Sequence, residues 1–97
     1  MITRIVKLTF RPENVSDFLK VFQRSNKYIS SFEGCSHLEL LKDKSDECIF
    51  FTYSIWESEA HLNKYRNSEL FNRTWGKAKK FFSEPAMAWT LNKEFTT

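Results

Sequence analysis

The run Cys48-Ile49-Phe50-Phe51-Thr52-Tyr53-Ser54-Ile55-Trp56 does most to constrain how this chain can fold. Its length and its β-branched and aromatic content make it a strand. Alternation puts Ile49, Phe51, Tyr53 and Ile55 on one side. Phe50 and Trp56 fall on the other, with Thr52 and Ser54 between them. An antiparallel sheet covered by helices on one side should carry polar residues on its other side. This strand is apolar on both sides, so two layers must cover it. Helices supply one, and no segment is left over for the other. A second copy of the sheet is the simplest cover, which predicts a homodimer joined through the sheet face.

The remaining segments fall into place around that strand. Residues 2–10 alternate, with Ile2, Arg4, Val6, Leu8 and Phe10 on one face and Thr3, Ile5, Lys7 and Thr9 on the other. This is a half-buried strand, broken at Arg11-Pro12. Residues 14–32 carry Val15, Phe18, Leu19, Phe22 and Ile29 at helical spacing, with Asn14 as the expected N-cap. The stripe has a gap at Ser25 and Asn26. Either the helix passes the sheet edge there, or Asn26 looks into a cavity and offers a hydrogen bond. Gly34 is expected to end this helix in the left-handed conformation.

Residues 35–42 form a second strand, and Asp43–Glu47 a polar turn. A short helix is expected over 57–66, then a second from Ser68 to about Ser83 with the stripe Phe71, Trp75, Ala78, Phe82. Residues 86–94 give a last strand with Met87, Trp89 and Leu91 on one face. The order is strand, helix, strand, strand, helical segment, strand. It defines a single α+β domain over 1–97, a ferredoxin-like split βαβ antiparallel sheet with helices on one face. Two such sheets face to face make a dimeric α/β barrel.

The totals narrow the function classes. A chain of 97 residues is one domain and buries roughly 60–65% of its unfolded surface. The net charge of +3 is spread along the chain, and Lys77, Lys79 and Lys80 fall late in a helix where cations suit the dipole. No nucleic-acid partner is expected. No apolar run reaches the ~18–20 residues of a membrane span, and the amino terminus alternates, so neither membrane insertion nor secretion is expected. Cys35 and Cys48 sit at opposite ends of one hairpin, several residues out of register at ~3.3 Å per residue, too far for a disulfide. Free thiols fit a cytoplasmic protein.

No metal set is visible, with only His37 and His61 and no C-x-x-C spacing. Gly34 and Gly76 are the only glycines, which excludes Gly-rich phosphate loops and Rossmann-type cofactor sites. No cofactor is expected. What remains is aromatic: Tyr65, Phe71 and Trp75 lie on segments that fold over the sheet, with Asn26 facing them from the first helix. These side chains either fill the core or line a pocket for a small, flat aromatic ligand. His61 shares a helix face with Tyr65 and is the acid/base candidate by type, because imidazole titrates near neutral pH. The alternative is a solvated helix-surface histidine.

The run Trp56-Glu57-Ser58-Glu59-Ala60-His61-Leu62, followed by Ser68 and Phe71, resembles the antibiotic biosynthesis monooxygenase family of dimeric α/β barrels. The likeness extends over essentially the whole chain, including the Phe32-Glu33-Gly34-Cys35 exit from the first helix. Its pattern is most similar to small quinol-monooxygenase-like proteins. The resemblance implies a homodimer with a pocket in each subunit between sheet and helices. It also implies oxygenation of an electron-rich aromatic or quinol substrate by O2 without metal or flavin. His61 or Tyr65 would assist deprotonation, Asn26 would hold an oxygen, and Phe71 and Trp75 would hold the ring. Two places depart from the pattern: Tyr65 and Leu70 stand where many relatives carry histidine. In the haem-degrading branch a strand Asn, a helix Trp and a later His match Val6, Tyr65 and Trp75 here, so haem degradation is not expected. The departures leave open a second reading, a non-catalytic dimeric α/β-barrel protein that binds a ligand or serves a stress response.

Overall fold

The alternation of apolar residues in the first strand sets the layer structure. In the computed structural model, which describes residues 1–97, β1 spans Ile2–Thr9 and lies at the inside of a four-stranded antiparallel sheet. After a 3-10 turn at Pro12–Asn14 come α1 (Val15–Ser30), β2 (Cys35–Lys42) and β3 (Ile49–Trp56). Then follow α2 (Glu59–Arg66), α3 (Glu69–Lys79) and β4 (Met87–Asn92). The strand order is β2-β3-β1-β4. β1 runs beside β3 from Ile2 opposite Trp56 to Thr9 opposite Ile49, and beside β4 from Ile2 opposite Asn92 to Lys7 opposite Met87. This is the expected α+β ferredoxin-like arrangement.

One face of the sheet carries the core. Leu8, Phe10, Phe18, Phe50 and Ala78 form its centre, with Val6, Leu40, Phe22 and Trp75 packed around them. The Phe10 ring stacks on Phe18 at 4.1 Å and meets the edge of Phe50 at 5.9 Å. Close-packed aromatic pairs of this kind stabilise by about 0.5–1.5 kcal/mol beyond their area burial. Backbone bonds from Arg11 to Phe81 and from Ser83 to Thr9, each 2.9 Å, tie the end of β1 to the exit of α3. They explain why α3 stops at Lys79, short of the expected Ser83: the chain leaves the helix to pair Phe82 with Phe10.

The second face is open. Alternation turns Ile49, Phe51, Tyr53 and Ile55 of β3 away from the helices, and no element of the chain crosses them. Beside them Leu41, Met87, Trp89 and Leu91 are all more than a third exposed.

Helix ends follow local chemistry. Ser58 and Ser68 cap α2 and α3, accepting from the backbone N–H of His61 (3.2 Å) and Phe71 (3.1 Å). Asn14 precedes α1 without capping it. Its side chain is drawn aside, accepting from Arg11 Nε and donating to Asp17 Oδ2, both at 2.9 Å. Ser31, not Gly34, closes α1; Gly34 takes its left-handed φ of 89° three residues later, in the turn that feeds β2. In the Asp43–Glu47 turn, Asp43 Oδ2 accepts from the backbone N–H of Ser45 and Asp46, holding the hairpin.

Candidate active site

A cavity of about 540 Å³ lies between the core face of the sheet and the three helices. Val6, Thr52, Ser54 and Trp56 form part of its floor, since these positions alternate toward the helices. Phe22 and Ile29 of α1 line one side, and Leu62 and Tyr65 of α2 with Phe71 and Trp75 of α3 line another. The cavity exists because the large side chains at the Phe10 end of the sheet give way to Thr52, Ser54 and Ala88 toward the other end.

Its aromatic wall is a continuous stack. Tyr65 lies nearly parallel to Trp56 at 5.0 Å and meets Phe71 edge-on at 5.2 Å. Phe71 is in turn parallel to Trp75 at 5.7 Å, with planes 10° apart. Within the floor, Trp56 Nε1 donates to Ser54 Oγ at 3.0 Å, so this fully buried ring keeps its polar atom satisfied. Burial pushes the Tyr65 phenol well above its ordinary range, and the nearby Cys35 sulfur adds to the shift. Tyr65 therefore stays protonated at neutral pH, which leaves its hydroxyl a donor and removes it as a base.

Tyr65 of α2 and Phe71 and Trp75 of α3 lie together along one wall of the cavity. Asn26 and His61 do not. The Asn26 amide donates back into its own helix, to the carbonyls of Phe22 (3.1 Å) and Gln23 (3.2 Å), and stands outside the cavity lining. The neighbouring gap residue Ser25 is buried and donates to Val21 O at 2.8 Å. Both gap residues thus satisfy themselves against α1, a habit of small polar residues in helices. His61 faces outward. Its Nδ1 lies 2.7 Å from the capping Ser58 Oγ, and its Nε2 lies 3.7 Å from Glu57 and 3.8 Å from Glu33. Its ring crosses the turn at Gly34, where any Cβ would collide with it. His61 is a helix-start and turn-packing residue, away from the cavity. His37 pairs with Glu39 at 3.2 Å and meets Tyr53 edge-on, which sets it on the open sheet face.

Two cavity residues escape the aromatic pattern, Arg4 and Arg66. Arg4 sits in the core-facing alternation of β1, between Ile2 and Val6, and a charge at such a position was the signal that could have marked it. Arg66 directly follows Tyr65 at the end of α2. Nowhere do three His, Cys, Asp or Glu side chains converge as a metal-binding group.

Fold and cavity together define an α+β ferredoxin-like protein with an aromatic-lined cavity between sheet and helices. The chain belongs to the antibiotic biosynthesis monooxygenase family, whose sequence model matches residues 1–76. A solved antibiotic biosynthesis monooxygenase is similar with a TM-score of 0.90 at 17% identity, over 96% of this chain and 98% of that one. A conserved protein of Methanosarcina mazei gives 0.91 at 18% identity, over 97% and 94%. A Mycobacterium tuberculosis protein gives 0.89 at 14%, over 98% and 96%. Identities this low establish the fold alone. No curated protein matches the chain.

Proposed function

We propose that this chain is a cofactor-independent monooxygenase acting on a small aromatic or quinol-type substrate with O2. The observation that carries the reading is the 540 Å³ cavity walled by stacked aromatic rings in a member of a monooxygenase family. For a phenol with a free para carbon, the product is the quinone. The ring loses two hydrogens and gains one oxygen atom, while the second oxygen atom leaves with those hydrogens as water. The ionised substrate is itself the reductant, so the protein's work is to orient the ring, exclude water and stabilise the anion. Tyr65 donates a hydrogen bond toward the substrate oxygen, and Phe71 and Trp75 hold the ring by stacking.

A second reading, a ligand-binding protein without turnover, is favoured by one observation. No carboxylate, histidine or lysine lines the cavity to serve as a base. Oxygen consumption separates the two. The monooxygenase reading predicts that purified protein, given a panel of quinols and naphthols, takes up one O2 per quinone formed, with one atom of 18O2 in the product and no hydrogen peroxide released. Tight binding of those compounds without uptake would favour the second reading.

We further propose that a second copy covers the open sheet face, supported by the apolar side chains of β3 and β4 there. The cytoplasm is the proposed compartment, supported by two free thiols; no helix is long and apolar enough to cross a membrane.

A further inference from the structure

We propose that Arg4 and Arg66 form an anion-recognition pair, and that the occupant of the cavity is an aromatic molecule carrying an anionic oxygen group, a carboxylate or an ionised phenol. This rests on the cavity being the ligand site, as read above. The two guanidinium groups come from opposite layers. Arg4 rises from the middle of β1, where its strand neighbours are Ser54 of β3 and Thr90 of β4. Arg66 descends from the last position of α2. Both line the cavity, and no Asp or Glu does.

Neither arginine has a counterion. The ion pairs of the chain involve His37, His61 and Lys64, all outside the cavity. Arg4 donates through Nη1 to Thr90 Oγ1 at 2.7 Å, a neutral partner that fixes the plane of the guanidinium without neutralising it. Burial, and then the charge of Arg66, depress the Arg4 pKa from its ordinary value. Guanidinium does not lose its proton in proteins, so Arg4 stays charged beside Arg66 and the two add their attraction for an anion. Arg4 is part-buried and Arg66 exposed, so both can reach a ligand entering the cavity, and Arg is the side chain best shaped to grip a carboxylate or an oxyanion in two bonds.

The charged groups and amides of the lining come from the middle of β1 and the exit of α2. Asn63 and Asn67 of the α2 exit join the two arginines there, whereas Leu8, Phe18 and Ala78 line the cavity further along β1. Four residues of strand separate Arg4 from Leu8, roughly 13 Å. A ligand with an anionic head and a flat apolar body of one or two rings spans that distance. The pair also bears on the missing base. Two cations on the lining, of which Arg4 is held by Thr90, favour the ionised form of a bound phenol, so substrate enters the reaction as its anion without a side chain to deprotonate it.

The test compares 2-naphthoate with its neutral isostere 2-naphthamide, following quenching of Trp56 and Trp75 fluorescence, and titrates bound 2-naphthol by its absorbance. Proteins are wild type, the double variant Arg4→Gln/Arg66→Gln, and Lys44→Gln in the hairpin turn as a charge control, each checked by circular dichroism. A carboxylate head predicts naphthoate binding at least about tenfold tighter than naphthamide in wild type and in the control, falling to within about twofold in the double variant while naphthamide is unaffected. An ionised-phenol head predicts that bound naphthol ionises at lower pH in wild type than in the double variant. Equal binding of acid and amide with no naphthol shift overturns the anion pair and leaves the aromatic cavity standing. So does a preference that survives in the double variant. Failure of all three compounds to bind overturns the cavity reading, and the pair with it. Binding with the predicted acid preference but no oxygen uptake would remove the catalysis and keep the pair.

Discussion

Tyr65 is the residue on which local structure and chemistry meet. Because its folded-state pKa is raised above the unfolded value near 10.0, the neutral phenol contributes stability that is fully present below that pH. Above it the unfolded chain loses the proton while the folded chain keeps it, so stability falls as pH rises. Thermal melts from pH 8 upward should therefore decline more steeply past pH 10.0 in wild type than in Tyr65→Phe. Parallel curves would contradict the burial of the hydroxyl. Gly34 gives a second prediction. Its φ of 89° and the His61 ring beside it leave no room for a Cβ. Gly34→Ala should destabilise by about 1–3 kcal/mol in urea unfolding, and an unchanged midpoint would contradict the turn geometry. At this scale the sequence was unevenly legible. Phe71 and Trp75 could be found because helical spacing puts them on one face of α3, whereas Tyr65 reaches them only through the Ser68 junction between α2 and α3. Asn26 and His61 could not be excluded, because a side chain that turns back to its own backbone or its own cap leaves no periodic trace. Arg4 was overlooked because alternation identifies a face without saying that the face encloses a void.

Among the elements, α2 and α3 matter most for the cavity, and their capping serines hold them at the correct angle. Ser68 is the more informative. Its hydroxyl accepts from Phe71 N–H and donates to Tyr65 O at 2.6 Å, so one side chain ends α2 and begins α3. Ser68→Ala should lose about 1 kcal/mol in denaturant unfolding and loosen the Tyr65–Phe71 contact. A loss within a few tenths would mean the junction is held by packing alone. Strand positions were readable from the sequence, since apolar alternation and the Asp43–Glu47 turn mark them; the register of β1 against β3 and β4, and the irregularity between Cys35 and His37, were not. Helix ends were not: α3 yields its last turn to the Phe10–Phe82 bridge, a tertiary contact no local pattern announces.

For the molecule as a whole, the two-sided β3 is the feature with the widest consequence. One face encloses the cavity, and the other presents Phe51, Tyr53 and Ile55 without cover. Light scattering should give a twofold mass at micromolar concentration, and Phe51→Lys should shift it toward the monomer. A monomeric wild type would leave that apolar face unexplained. The central claim, however, concerns the cavity. Ala88 lies in its lining, carries no chemistry and can be enlarged. Oxygen uptake with the best quinol or naphthol substrate, measured on wild type and on Ala88→Phe, tests the claim most directly. Wild type should take up O2 stoichiometrically, and the variant should keep a folded spectrum and lose the uptake. Absence of uptake by wild type across the panel, or undiminished uptake with the cavity filled, would contradict the claim.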